Sequence, residues 1–318
     1  RSGEARLVVG PRSALFAPLE NLGVVVVDEE HDPSYKQEEG FRYHARDLAI
    51  LRAHRAGALS ILGSATPSLE SFHLARSGKH HLLSLPSRPG ARELPPVTIV
   101  DLSRTGASPT REPLLSLPLH RALESTLAAG DQAVLFLNRR GFAPSMRCAA
   151  CGHVEGCPAC SVALVLHRRV GLMRCHYCDF ATPVGSACSE CRAVALSPIG
   201  LGTERLEAIL AEAFPTARLG RLDRDTATGA GALDVIERAR RREIDVLLGT
   251  QMVTKGHDLP GVTLVGVILA DQSLAFPDFR AAERTFQLLA QVAGRAGRGE
   301  RKGIVLVQTY QADHPAIR

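Results

Sequence analysis

The chain of 318 residues has no tryptophan and only 14 aromatic residues, ten Phe and four Tyr, so any local concentration of rings is informative. It has no apolar run approaching the roughly 18 residues that a membrane span requires. The longest, around residues 262–270, reads as a buried strand, and no membrane partner is expected. Nothing resembling a secretory signal is present. A Gly-x-x-x-x-Gly-Lys-[Ser/Thr] loop is also missing, so the chain lacks the usual set of amides and lysine that holds β- and γ-phosphates. Cysteine is absent everywhere outside residues 148–191. The net charge of +5 is a mild bias towards polyanions, and 45% hydrophobic residues suffice for α/β cores.

Inside that window all eight cysteines form Cys-x-x-Cys pairs: Cys148/Cys151, Cys157/Cys160, Cys175/Cys178 and Cys188/Cys191. The spacing lets both sulfurs of a tight knuckle reach one tetrahedral metal. A disulfide framework is the plainer alternative, but it belongs to oxidising compartments, and the rest of the chain reads as intracellular α/β. Two structural zinc ions are expected. Zinc ribbons usually separate their knuckles by about 15–20 residues, and the gap between Cys160 and Cys175 comes nearest to that. The arrangement is therefore expected to be nested. Cys157, Cys160, Cys175 and Cys178 would hold one ion, and Cys148, Cys151, Cys188 and Cys191 the other. Each ion would add on the order of 10 kcal/mol to folding so small a segment. His153, His167 and His176 are alternative ligands, but eight thiolates already complete two shells.

Around the cysteine block the apolar pattern is that of an α/β protein with parallel sheets. Residues 1–85 carry predicted strands at 7–9, 24–27 and 60–62 and a helix over 45–56, the strands reading as buried on both faces. Residues 86–115 read as a linker with one short strand, 97–100. Residues 116–147 and 192–318 form a second α/β unit, interrupted by the insert at 148–191. Its strands are predicted at 133–137, 244–248, 264–269 and 304–308, and its helices at 119–127, 203–213, 233–242 and 281–292.

Four valines lead into Asp28-Glu29-Glu30-His31, a strand that delivers carboxylates at its C-terminal end, where open parallel sheets place ligands. One carboxylate there can hold a hydrated magnesium while its neighbour activates water. An acidic turn after an apolar strand is the plainer alternative. In Gln291-Val-Ala-Gly-Arg-Ala-Gly-Arg298, Gln291, Arg295 and Arg298 fall on one face if the segment is helical. Two guanidiniums there suit a polyphosphate. Gly294 and Gly297, each costing a helix about 1 kcal/mol, make sense if a backbone or phosphate approaches closely. Between the acidic box and the next helix, Tyr35, Phe41 and Tyr43 alternate with Lys36, Arg42, His44 and Arg46. That composition can stack on unpaired bases while cations hold phosphates, although lobe packing by Phe41 and Tyr43 is an alternative.

With Gly10-Pro-Arg-Ser-Ala-Leu-Phe16, Gly63-Ser-Ala-Thr-Pro67, Leu137-Asn-Arg-Arg-Gly141 and Gly249-Thr-Gln-Met-Val-Thr-Lys-Gly-His-Asp258, these motifs resemble superfamily 2 helicases. Among those the chain is most similar to the primosomal replication-restart helicases, whose second lobe carries an eight-cysteine insert with nested zincs. The resemblance implies two RecA-like lobes, the first incomplete, and an ATP-dependent 3′→5′ DNA helicase acting with Mg²⁺. Asp28, Glu29, His31, Arg295 and Arg298 would be catalytic. Glu30, Ser64, Thr66, Gly256, Asp258 and Gln291 would couple nucleotide to movement, and Tyr35, Phe41, Tyr43, Arg46, Thr250 and Lys255 would meet DNA. Implied partners are single-stranded and forked DNA, primosome proteins, single-stranded-DNA-binding protein and the replicative helicase loader. The implied location is the nucleoid-associated bacterial cytoplasm. The family's phosphate loop, amino-terminal DNA-binding modules and carboxy-terminal domain have no counterpart here, so the segment alone is expected to hydrolyse ATP poorly or not at all. An ATP-independent fork-binding scaffold that recruits primosome proteins through the zinc module is the rival reading.

Overall fold

The computed structural model describes residues 5–86, 94–105, 114–137, 145–160, 162–167, 170–198, 203–223, 230–250, 259–276, 278–297 and 301–318. The chain divides into two compact units, Arg1–Ser87 and Arg88–Arg318.

In the first unit a 3-10 turn, Arg12–Phe16, precedes β1 (Val24–Val27), the short strands β2 (Lys36–Gln37) and β3 (Tyr43–His44), α1 (Ala45–Arg55), β4 (Leu59–Leu62) and α2 (Leu69–Arg76). β1 and β4 are parallel, with Val24 opposite Leu59 and Val27 opposite Leu62. Helix α1 packs on this pair, and its small residues Ala45, Ala49 and Ala53 are buried, allowing close approach. The expectation of strands buried on both faces is not met. Val24, Val26, Leu59 and Ile61 alternate outward and stay exposed, because α1 covers only one face. Residues 7–9 form no strand, and Leu7 and Val9 lie exposed. Helix α2 was not anticipated. It starts where Ser68 Oγ accepts the N–H of Ser71, an N-cap that satisfies one of the free donors of the first turn.

The second unit is built on six parallel strands. They are β5 (Val97–Asp101), β6 (Gln132–Leu137), β12 (Leu219–Leu222), β13 (Val246–Gly249), β14 (Val262–Ile268) and β15 (Ile304–Thr309), in the order β12-β13-β6-β14-β15-β5. The strand of the expected linker thus forms an edge of this sheet. Strand β6 lies near the middle with all six residues buried. Its side chains alternate between two cores. Ala133, Leu135 and Leu137 meet α3 (Leu117–Ala128) and α4 (Thr203–Ala213) through Leu119, Leu123, Leu206 and Leu210. Val134 and Phe136 meet α5 (Ala230–Arg240) and α6 (Ala281–Ala293) through Ile236, Leu288 and Val292. Helices on both faces of a parallel sheet are the layering that such apolar strands require.

The insert leaves the sheet after β6. Strands β7 (Met146–Cys148) and β11 (Leu196–Pro198) pair antiparallel at its base, and β8 (Val165–His167), β9 (Leu172–Arg174) and β10 (Ala181–Pro183) form a small antiparallel sheet beyond. Its apolar interior is minor, centred on Met146, Leu164, Leu166 and Met173 with Cys157 and Cys175. Nothing that small holds three strands and four knuckles by burial alone.

Candidate functional site

The acidic box sits where β1 ends. Asp28 Oδ1 accepts the N–H of Glu29 at 3.0 Å, and Glu29 takes a left-handed backbone at φ 49°, uncommon for a residue with a Cβ. The turn rests on the end of β4. The N–H of Gly63 donates to Val27 O, and that of Glu30 to Gly63 O. His31 Nδ1 lies 2.6 Å from Ser64 Oγ and 3.6 Å from a Glu29 carboxylate oxygen. Ser64 Oγ in turn accepts the N–H of Thr66 at 3.0 Å. The Asp28–His31 box and the Gly63–Pro67 motif are thus one hydrogen-bonded piece. Tyr35 Oη donates to Asp28 O at 2.7 Å, and burial, then the nearby Asp28, Asp32 and Glu29 charges, raise its pKa.

Two expected roles change. Arg46, grouped by sequence with the DNA contacts, is buried, and its Nη1 lies 3.1 Å from Glu30 and 2.6 Å from Ser68 Oγ. Glu30, grouped with the coupling residues, is 1% exposed and also accepts from Ser68 N at 2.6 Å, Ser68 Oγ at 3.1 Å and Ser71 Oγ at 2.9 Å. This is a structural tether, a buried carboxylate at the N-terminus of α2 that clamps it to the end of β1. Sequence reasoning missed Ser68 and Ser71, although a serine at a helix start followed by an acidic residue in the first turn, here Glu70, is a capping signal.

The remaining expected DNA contacts split. Phe41 is exposed and Tyr43 half-buried, with ring centroids 6.1 Å apart. Phe16, not singled out by sequence, stands edge-on to Tyr43 at 5.3 Å. Arg12 Nη1 donates to Ser34 O and Lys36 O, and Arg52 donates to Leu15 O and Ala17 O, so the turn bearing Phe16 is pinned beside the hairpin. Thr250 directly follows β13, its N–H donating to Leu222 O at 3.3 Å. Lys255, Gly256 and Asp258 lie outside the described residues, as does Arg298.

The arginine segment also differs from expectation. Helix α6 ends at Ala293 with Gly294 as its cap, so Gln291 is helical while Arg295 lies in the turn that follows. Gly297 explains the ending. Its φ is 68°, and a Cβ there would come within 2.8 Å of the backbone N of Gly303. At Gly297 the structure has close backbone approach, one of the two reasons advanced for these glycines.

The cysteines gather into Cys148, Cys151, Cys188 and Cys191 and, separately, Cys157, Cys160, Cys175 and Cys178, with the sulfurs of each set within 4.8 Å of one another. This is the nested grouping. A zinc with Zn–S bonds of ~2.3 Å sets S···S edges of about 3.8 Å. Cys148···Cys191 at 3.6 Å, Cys151···Cys188 at 3.8 Å and Cys157···Cys178 at 3.6 Å match that tetrahedron. The fit is good, and two zinc ions suit the donor set. Burial pushes the Cys148 thiol up, but N–H groups of Cys151 and Ala150 and the neighbouring thiols bring it down to about 7. The N–H of Cys178, against the effect of burial and helped by that of Tyr177, brings Cys175 to about 7 as well. His153 instead meets Ser189 Oγ, and His167 pairs with His176 at 3.2 Å.

A parallel sheet with helices on both faces, a strand-tip acidic box on a separate α/β unit and an insert with two four-thiolate clusters together define an α/β protein with a Cys-rich, metal-binding module. Its relatives are specific. The PriA DNA helicase Cys-rich region (CRR) domain matches residues 157–183. Replication restart protein PriA of Bacillus subtilis is 48% identical over 316 residues, 99% of this chain and 39% of that protein. The Haemophilus influenzae protein of the same name is 42% identical over the whole chain and 43% of its own length. Among solved structures, yeast Dbp5 bound to RNA and ADP BeF3 is 12% identical with a TM-score of 0.45, covering 92% of this chain and 55% of that one. RecG bound to a three-way DNA junction is 15% identical with a TM-score of 0.44, covering 92% and 26%. Over nearly its whole length the chain is similar to these replication restart proteins, and it spans about two fifths of the length of those two curated relatives.

Proposed function

We propose that this chain is the central part of an ATP-driven 3′→5′ DNA translocase that acts at stalled replication forks and begins primosome assembly. The observation that carries the reading is the bonded unit of Asp28, Glu29, His31 and Ser64 at the carboxyl ends of two parallel strands. In it Asp28 holds hydrated Mg²⁺ and Glu29 activates the attacking water. His31 passes the state of that site to Ser64 and Thr66, which couple it to movement. Arg295 and Arg298 supply positive charge to the γ-phosphate, and Gln291, Gly256 and Asp258 couple the nucleotide to movement. Tyr35, Phe41, Tyr43, Thr250 and Lys255 contact single-stranded DNA. The two zincs, held by the eight thiolates, give the insert its fold, and the insert docks primosome proteins, single-stranded-DNA-binding protein or the helicase loader. The setting is the bacterial cytoplasm at the nucleoid, and no described helix is long and apolar enough to cross a membrane.

The test is DNA-stimulated phosphate release by the complete parent protein. Glu29→Gln and Arg295→Ala should each lower it by about 10³-fold or more while fork binding persists. Wild-type release that neither change affects, or no release at all with fork binding intact, would leave the scaffold reading instead.

A further inference from the structure

The zinc insert does not merely hang from two strands. Arg147, on β7 beside the zinc ligand Cys148, places Nη1 3.2 Å from Asp271 Oδ2 and its guanidinium carbon 4.5 Å from the centre of the Tyr310 ring. Asp271 is 1% exposed. Its other oxygen accepts from Thr309 Oγ1 at 2.9 Å and from Tyr310 N at 3.0 Å. A second part of the insert reaches the same place. Gly152, in the first knuckle at φ 77°, lies so close to Tyr310 that a Cβ would strike that side chain. Asp271 follows the end of β14 just beyond Leu269, which takes a left-handed backbone at φ 51°, and Thr309 ends β15. Ion pair, ring and knuckle therefore converge on the carboxyl edge of two adjacent central strands, the edge where parallel sheets meet their ligands.

We infer that Arg147 and Asp271 form a buried joint, sealed by Tyr310 against the Gly152 knuckle, that fixes the orientation of the outer zinc cluster on the carboxyl edge of the sheet. Arg147 is then a positioning residue, neither a metal ligand nor a DNA contact. A desolvated pair of fixed geometry selects one arrangement over others, and cation–π contact to Tyr310 reinforces it. Any displacement of the segment after β14 then carries Cys148 with it. That last consequence rests on the motor reading, whereas the joint itself does not.

Two measurements separate them. Because the cysteines hold metal, spin labels go in through non-canonical amino acids at the exposed Val194 on the insert and Leu233 on the lobe. Pulsed EPR of the zinc-loaded chain should give one narrow distance distribution. Arg147→Ala and Asp271→Asn should broaden it with both zincs retained, and Arg147→Lys should restore part of the narrowness. A distribution equally narrow in Arg147→Ala, or broadening only alongside zinc loss, overturns the joint. In the complete parent, Arg147→Ala should lower DNA stimulation of the ATPase about tenfold and leave the basal rate unchanged. Unaltered stimulation overturns the transmission of movement, while a parent with no ATPase at all overturns the motor reading and leaves the EPR result to stand alone.

Discussion

Replacing Arg46 with alanine separates two roles that the sequence could not. If Arg46 held a DNA phosphate, Arg46→Ala would weaken binding and leave folding alone. In the structure its guanidinium faces a carboxylate that is 1% exposed. Removing one partner of a buried ion pair costs about 3–5 kcal/mol. Glu30 would keep three donors, from Ser68 N, Ser68 Oγ and Ser71 Oγ, which puts the expected loss at the low end, about 3 kcal/mol. The exposed pairing of Arg46 with Asp47 adds little. At 1.36 kcal/mol per decade, the opening of α2 should become roughly a hundredfold more frequent. Hydrogen exchange at the amides of Ser71 and Phe72, which bond back to Ser68, reads that opening directly. Replacing both Glu30 and Arg46 by methionine should recover much of the protection, because no buried charge is left alone. Unchanged exchange in Arg46→Ala, with reduced DNA affinity, would refute the tether.

Two further outcomes follow from the geometry. Cys157→Ser should remove one zinc and leave the other, because its four-thiolate set is separate from that of Cys148; native mass spectrometry showing zero or two ions would contradict two independent four-thiolate sites. Asp245 accepts from Arg218 Nε, Nη2 and N, and those bonds outweigh burial and hold its carboxyl below the ordinary range. The pair therefore stabilises the fold above the usual carboxylate pKa and stops doing so as pH falls through the lowered one. Urea unfolding should accordingly show a shallower acid loss in Asp245→Asn than in wild type, and equal slopes would remove this contribution.

Local patterns were legible wherever they answer to local physics. Helix α4 runs from Thr203 to Ala213 as its apolar spacing indicated, and α6 exceeds its expected end by one residue. The pairing of the knuckles followed from loop lengths, because a short linker limits which sulfurs can share one ion. Helix α2 escaped notice because it is eight residues long and its cap, Ser68, gains force from Glu30, 38 residues earlier. The helical face assigned to Gln291 and Arg295 is interrupted, because the helix ends at Ala293, before Arg295. The turn at Gly297 exists because Gly303 passes against it.

By itself the amino-acid order determined the two four-thiolate clusters, the buried parallel strands of the second unit and the acidic box at the end of β1. Each depends on spacing within a few dozen residues. Only tertiary structure decided which way the charged side chains turned. It sent Arg46 inward to Glu30, left Phe16 outward beside Tyr43, and brought Arg147 to Asp271 across 124 residues. A charge shows no preference for solvent or partner until the partner has been carried to it, and the packing of distant strands and helices does the carrying.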